Sequence, residues 1–444
     1  MTSRNPECGQ KYGDDHWEQL DVLESSPSTD LLMRAANYEA YSAERKHAEK
    51  IVETLGCHTL AIVLAGSYIA DELCEFDEYL NIYDKNWEKV MKNYEFTQDK
   101  SRYSTVFATF EASMAVLEAE RSEISSDALE ILDVLSALSA SNVPVALFKE
   151  AWEGIARLSE ITDLDKLESL SDWHVRRLPL FLQAAVTDWD WCRVTSACNR
   201  LKALSILEIS GRGPARKLTM HTLAHDWLWQ RQTRQEMENS WTSTGSALSM
   251  SLLFNKEGYA HVNEYRSHLG YYIAAWRKYE LCPESELPVL QIVYRCAVAL
   301  DGIRDDRLAL QCLDAIASVH RKCNEEKEMR HLGFYKLRAR SRLRNGNSKG
   351  SIEMLDQILS LQETLAEDHP DRLASQHALA GAYRANGQVK QAVALLEHVV
   401  KVKESFMAEG HPSRLASQHA LAGAYGADGQ VERSEVLLRL LELD

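Results

Sequence analysis

Residues 372–383 read RLASQHALAGAY, and residues 414–425 read RLASQHALAGAY again without a single change. His369-Pro370 leads into the first copy and His411-Pro412 into the second, so the period is 42 residues. A period of that size marks stacked supersecondary units, each too small to bury its own apolar face alone. Leu379, Ala380 and Tyr383 share one helical face, with alanine where a neighbouring backbone must come close. Asn386-Gly387 and Asp428-Gly429 then break the helix, because Gly and Asn tolerate positive φ. A second helix follows with Ala392, Leu396 and Val399 at i, i+4 and i+7, the spacing of a buried stripe. Its equivalents one period later are Ser434, Leu438 and Leu441.

These positions resemble the tetratricopeptide consensus, and the 42-residue period resembles the kinesin-light-chain type, which has a longer second helix. Ser341–Gln362 reads as a degenerate upstream copy, with a turn at Asn345-Gly346 and apolar Ile352, Leu355 and Ile358. Residues 285–323 read as a weaker hairpin broken at Asp301-Gly302. The resemblance implies a solenoid that binds proteins or peptides. Arg372, Gln376, Arg414 and Gln418 are the candidates for lining a concave binding face. The plainer reading is that both copies preserve helix-stacking contacts from a recent duplication.

Composition fits a helical reading. In 444 residues there are only nine prolines, and hydrophobic residues make up 45% against 26% charged. The formal net charge is −16, which disfavours nucleic acid and anionic membrane surfaces as partners. Nine cysteines stand at 8, 57, 74, 192, 198, 282, 296, 312 and 323 with no CxxC, so reduced, mostly buried thiols and a cytoplasmic location are expected. The first twenty residues have no apolar core of a signal peptide, and the longest apolar run, Leu60–Ala70, is too short to span a bilayer.

The N-terminal half is helical in pattern. Thr29-Asp30 is expected to cap a helix over Leu31–Ala40, with further helices over Ala43–Leu55 and Thr59–Glu72. Val106–Phe110, Ala128–Leu138 and Ala146–Trp152 continue the series. Ser205–Ile209 and Arg216–Met220 then flank the turn Ser210-Gly211-Arg212-Gly213-Pro214, a hairpin pattern. The segment HAEKIVETLGCHTLAIVLAGSYIA resembles the GLPLA region of the NB-ARC module of fungal NLR-like STAND proteins. Gly56, Leu60 and Ala61 match, and Thr59 holds the proline position. Residues 101–235 resemble the winged-helix part of that module. Met220 and His221 resemble its MHD motif, with Thr222 in place of the aspartate. The resemblance implies a nucleotide role for His221, Gly56, Thr59 and Leu60, with His221 meeting the β-phosphate of ADP in a complete module.

No G-x-x-x-x-G-K-[ST] run is present, so no residues of this chain are expected to grip a triphosphate. The resemblance begins past the point where that loop would lie, and the expectation is a truncated module that is not an enzyme and requires no cofactor. His221 and His225 stand at i, i+4, a spacing that could serve a metal. The glutamate of a zincin is absent, so helix packing is the better account. The expected class is predominantly all-α: a helical ARC-type segment (1–100), a winged-helix domain with a small β-wing (101–240), and a helical region (241–444) ending in tetratricopeptide repeats, clearest at 371–408 and 413–443. The expected role is a signalling regulator that binds proteins and can self-associate. The alternatives are a plain tetratricopeptide adaptor, or the regulatory part of an ATPase completed by a separate P-loop domain.

Overall fold

A computed structural model describes residues 23–39, 43–93, 104–158, 167, 169–183, 188–252, 262–281, 287–320 and 332–442. In chain order the helices are α1 (Ser25–Ala35), α2 (Arg45–Thr54), α3 (Thr59–Ala70), α4 (Tyr79–Asn93), α5 (Ser104–Ala119), α6 (Glu123–Ser136), α7 (Ala146–Leu158), α8 (Asp172–Val175), α9 (Leu180–Gln183) and α10 (Trp191–Ala203). They continue as α11 (Thr222–Gln230), α12 (Arg234–Ser251), α13 (Arg266–Tyr279), α14 (Leu287–Gly302), α15 (Asp306–His320), α16 (Leu332–Arg344), α17 (Ser348–Leu361), α18 (Pro370–Ala385), α19 (Val389–Phe406), α20 (Pro412–Ala427) and α21 (Val431–Glu442). The strands are β1 (Val143–Pro144), β2 (Leu207–Ser210) and β3 (Lys217–Met220). The fold is predominantly all-α, as the sequence implies.

The chain divides into two compact units. The first takes the described residues up to Ser136 together with Ala140–Asn142 and Asp190–Arg234; the second takes Ala137–Ser139, the described part of Val143–Trp189 and everything from Gln235. The helices of the expected segments 1–100 and 101–240 therefore share one unit in large part, while residues 143–189 fold with the C-terminal helices.

In the first unit, α1 and α3 approach so closely that a Cβ on Gly66 would collide with Ala35. Leu32, Met33, Ile51, Val52, Ile62 and Ala65 are fully buried around that contact. Thr29 does not cap. It lies inside α1, fully buried, with its hydroxyl donating to Ser25 O at 2.9 Å, and the helix begins at Ser25, six residues before the expected Leu31. Ala40, the expected end of that helix, lies outside the described residues. Arg193 of α10 forks onto Asp127 of α6 at 2.6 and 2.8 Å, fixing that helix pair. The expected hairpin is present: β2 and β3 run antiparallel in the register Leu207↔Met220 to Ser210↔Lys217, with Gly211 and Gly213 at positive φ in the turn.

The second unit contains two helices, α12 and α13, in a stretch where the sequence shows no clear pattern. Trp241 of α12 stacks on Tyr272 of α13 with ring centres 4.6 Å apart. Four successive hairpins then follow, α14–α15, α16–α17, α18–α19 and α20–α21. The weak hairpin read over 285–323 is α14–α15, and its residues 285, 286 and 321–323 lie outside the described residues. Arg340 and Arg344 of α16 clasp Asp301 at the end of α14, and Arg338 holds Asp314 of α15, so successive hairpins are joined by ion pairs. Ala392, Leu396 and Val399 are buried as the spacing predicts. Leu438 is 40% exposed where its equivalent Leu396 is 2% exposed, because no described element packs against the far side of α21.

Among the described residues, no helix is long and apolar enough to cross a membrane. Cys74, Cys198, Cys296 and Cys312 are buried free thiols, Cys57 is half-buried, and Cys192 is exposed. Burial pushes the thiols of Cys74, Cys198 and Cys312 up to about 12. Cys8, Cys282 and Cys323 lie outside the described residues.

Candidate functional site

Much of the repeated dodecapeptide is spent on holding the repeats together. His369 and His411 are the N-caps of α18 and α20, each Nδ1 accepting from the amide two residues on at 3.2 Å. The two arginines perform the same task in both copies. Arg372 donates to Leu365 O at 2.8 Å and Arg414 to Met407 O at 3.2 Å, tying each helix to the loop before it. Arg414 and Gln418 meet on one carboxylate, Glu404, at 3.7 and 3.1 Å, and Gln418 is buried. Tyr425 donates to Glu397 of the preceding hairpin at 2.6 Å, and Tyr383 bonds Asp356 in the equivalent place. Burial, then that carboxylate, pushes Tyr425 up to about 12. The arginines and glutamines expected to line a binding face are thus engaged within the chain, apart from Gln376, which is half-buried with no hydrogen bond to its Oε1.

The residues that do face solvent on the first helix of each repeat are different ones. On α18 they are Pro370, Asp371 (paired with Lys336), Ala374, Arg384 and Ala385, flanked by the half-buried His377, Ala378 and Gly381. On α20 they are Pro412, Ala416, His419, Gly423, Gly426 and Ala427. This stripe of i, i+3, i+7 positions has a floor of alanine and glycine, and a Cβ added at Gly381 would meet nothing. Arg384 is the first position past the identical dodecapeptide, and the second copy has Gly426 there. Its guanidinium lies over Gly423, where a Cβ would come 2.7 Å from Nη1. Arg384 has no side-chain hydrogen bond or ion pair among the described residues, whereas Lys336 and Arg340 on the equivalent face of α16 are paired with Asp371 and Asp301. Helix-face arithmetic from the buried Leu379 and Ala380 and the half-buried Tyr383 identifies this stripe; the repetition of Arg and Gln draws attention away from it.

The residues of the ARC resemblance sit at two helix starts. Gly56 takes φ +61° in the turn before α3, and Thr59 and Leu60 open that helix. His221 is the N-cap of α11, its Nδ1 accepting from Leu223 N at 3.1 Å. His225 is buried one turn on, and Trp227 is fully buried, donating to Glu111 at 2.9 Å. Among the described residues no three His, Cys, Asp or Glu side chains gather as a metal site. At the hairpin turn, Arg216 donates to Thr195 at 2.9 Å.

The tetratricopeptide repeat family matches residues 334–405, which span most of α16, all of α17 and α18, and most of α19. Among solved structures, the chain is similar to a kinesin-light-chain-like protein with nearly identical TPR-like repeats from Podosopora anserina. The match is 32% identical, covers 47% of this chain and 92% of that one, and has a TM-score of 0.34. It is also similar to a signal transduction ATPase with numerous domains (STAND) that carries a tetratricopeptide repeat sensor, from Pyrococcus horikoshii. That match is 12% identical over 95% of this chain and 60% of the other, with a TM-score of 0.30. No curated protein matches the chain.

Proposed function

We propose that this chain is a non-enzymatic protein-binding scaffold that docks an acidic, extended segment of a partner across α18 and α20, with Arg384 as the anchor. The observation that carries the reading is an unpaired guanidinium standing on a floor of Gly and Ala. Small side chains leave room for a second backbone, and an unpaired guanidinium gains most by meeting a carboxylate bidentately. His377 and His419 flank the stripe and add hydrogen-bonding capacity without negative charge. A labelled glutamate-rich peptide should bind more tightly than its glutamine counterpart, and added salt should weaken it. Arg384→Glu should cost about tenfold or more, since truncating or reversing a desolvated charge pair costs about 2–5 kcal/mol. Equal binding of both peptides, or an unaffected Arg384→Glu variant, would sink the reading.

A second reading follows from the first unit, which has the expected β2–β3 hairpin followed by a helix capped by His221. In it the scaffold belongs to an NLR-like signalling regulator whose state is set by ADP, and the repeats act as its sensor. Calorimetric titration tests it: ADP should release heat with the parent chain and less with His221→Ala. A flat titration leaves the adaptor reading alone. ATP should remain intact in either case.

A further inference from the structure

The junction between α18–α19 and α20 holds a buried lysine where the preceding junction holds a buried glutamine. Gln362 stands one hairpin before Lys403, at the spacing that also relates Leu355 to Leu396 and Ile358 to Val399. Lys403 is 4% exposed, and its ammonium donates to Ser413 O at 2.9 Å, Ser413 Oγ at 2.9 Å and Ser417 Oγ at 2.8 Å. Ser417, fully buried, donates onward to Ser413 O at 3.2 Å. Its oxygen also lies 3.1 Å from Nδ1 of His377 on α18. Three helices therefore meet on one hydroxyl, with an ammonium on one side and an imidazole on the other. In the preceding repeat Ser375 bonds only its own helix, at Asp371 O.

We propose that this His377–Ser417–Lys403 chain is a proton-operated latch that holds α20 against α18 and α19 while the imidazole is neutral and releases it when the imidazole is charged. The inference rests on the preceding reading, because the face that it would open is the proposed docking stripe. A neutral imidazole can share Ser417 with the ammonium in either tautomer. An imidazolium places a second cation one hydroxyl away from the first, in an interior where their repulsion is little screened. The charged groups acting on His377 are Lys403 from α19 and Arg384 from its own helix, and α20 presents the Ser417 hydroxyl to it. Neither His377 nor Lys403 pairs with a carboxylate among the described residues. Burial first, then Lys403 and Arg384, hold the imidazole below its ordinary 6.5. A histidine depressed in the folded state contributes stability that is complete above 6.5 and is lost as pH falls through the folded value.

The test is hydrogen exchange on the full chain, read as protection factors so that the intrinsic effect of pH on exchange is removed. Protection of α20 and α21 should fall several-fold between about pH 7.5 and about pH 5.5, while the first unit changes little. His377→Gln keeps a neutral hydrogen-bonding group and should abolish that dependence. Lys403→Met, which keeps the unbranched side chain and removes its charge, should reduce it without requiring His377 to change. An unchanged dependence in both variants, or none in the parent chain, would overturn the latch. A glutamate-rich peptide should dissociate from the parent chain over the same interval and less so from His377→Gln. Failure of that peptide to bind at any pH, with the exchange result intact, would remove the docking stripe and leave the latch standing.

Discussion

A Cβ built on Gly245 would collide with the Tyr272 hydroxyl and lie 2.7 Å from Ile292 Cγ2, in the middle of the Trp241–Tyr272 stack. Gly245→Ala should therefore destabilise the chain by about 1–3 kcal/mol, the cost of overpacking a tight core. Gly381, also helical, has nothing within 4 Å, so Gly381→Ala should stabilise by roughly 0.5–1 kcal/mol through helix propensity alone. Urea melts of both variants read this opposition of sign. If the docking stripe is used, Gly381→Ala should also weaken peptide binding despite the stabler fold. Glu111 is another residue whose role composition cannot show. It is 1% exposed and accepts from Trp227 and from Arg231, at 2.9 and 3.3 Å. Glu111→Ala would leave the buried Trp227 Nε1–H unmet and Arg231 with Glu118 as its remaining carboxylate, costing about 1–3 kcal/mol, the range for an unsatisfied buried donor. Glu111→Gln, which can still accept, should cost less in the same melts.

At the scale of elements, legibility followed the kind of face each helix buries. The hairpins α16–α21 bury leucine, valine and alanine at helical spacing, and punctuating glycines at 346, 387 and 429 take φ near +80°, so pattern and turn agree. Helix α12 escaped notice because its buried positions include Ser240, Thr244, Ser246 and Ser249. Their polarity hides the period, and Thr244 satisfies itself on Ser240 O at 2.8 Å. The N-terminus of α1 was misplaced for a related reason: a buried threonine that back-bonds to its own helix looks like a cap in sequence. Conversely, His-Pro marks each repeat in the sequence, but that the imidazole itself caps the helix is visible only from the Nδ1 distances. His411→Ala should cost about 1 kcal/mol, as loss of a side-chain cap does, and His369→Ala a similar amount. The loss should appear as fraying of the first turns of α20 and α18 in hydrogen exchange. Unchanged protection there would mean that Pro412 and Pro370 alone fix the helix starts.

Across the whole molecule the informative division is between the two compact units, each with its own buried residues. In the repeats, burial passes from one hairpin to the next. Ala380, Val393, Leu396 and Val400 of α18–α19 close against Leu421, Ala424 and Tyr425 of α20. Ala339, Met354, Leu355 and Ile358 of α16–α17 close against Leu379 and Ala382 of α18 in the same way. Stability in such an array is a sum over neighbouring interfaces, so damage should spread by contact and not by the chain as a whole. Deleting residues 411–444 removes the cover from Val393, Leu396 and Val400 and also the oxygens that hold Lys403, which is then left with an uncompensated burial cost. Protection should fall most in α19, less in α18 and less again in α16–α17, while α1–α6, α10 and α11 keep theirs. Adding Lys403→Ala to the deletion should recover part of the loss in α19, because it removes the stranded ammonium and not only an apolar contact. A uniform fall across both units would instead mean that the chain unfolds as one cooperative body, and the stepwise account of the repeats would have to be abandoned.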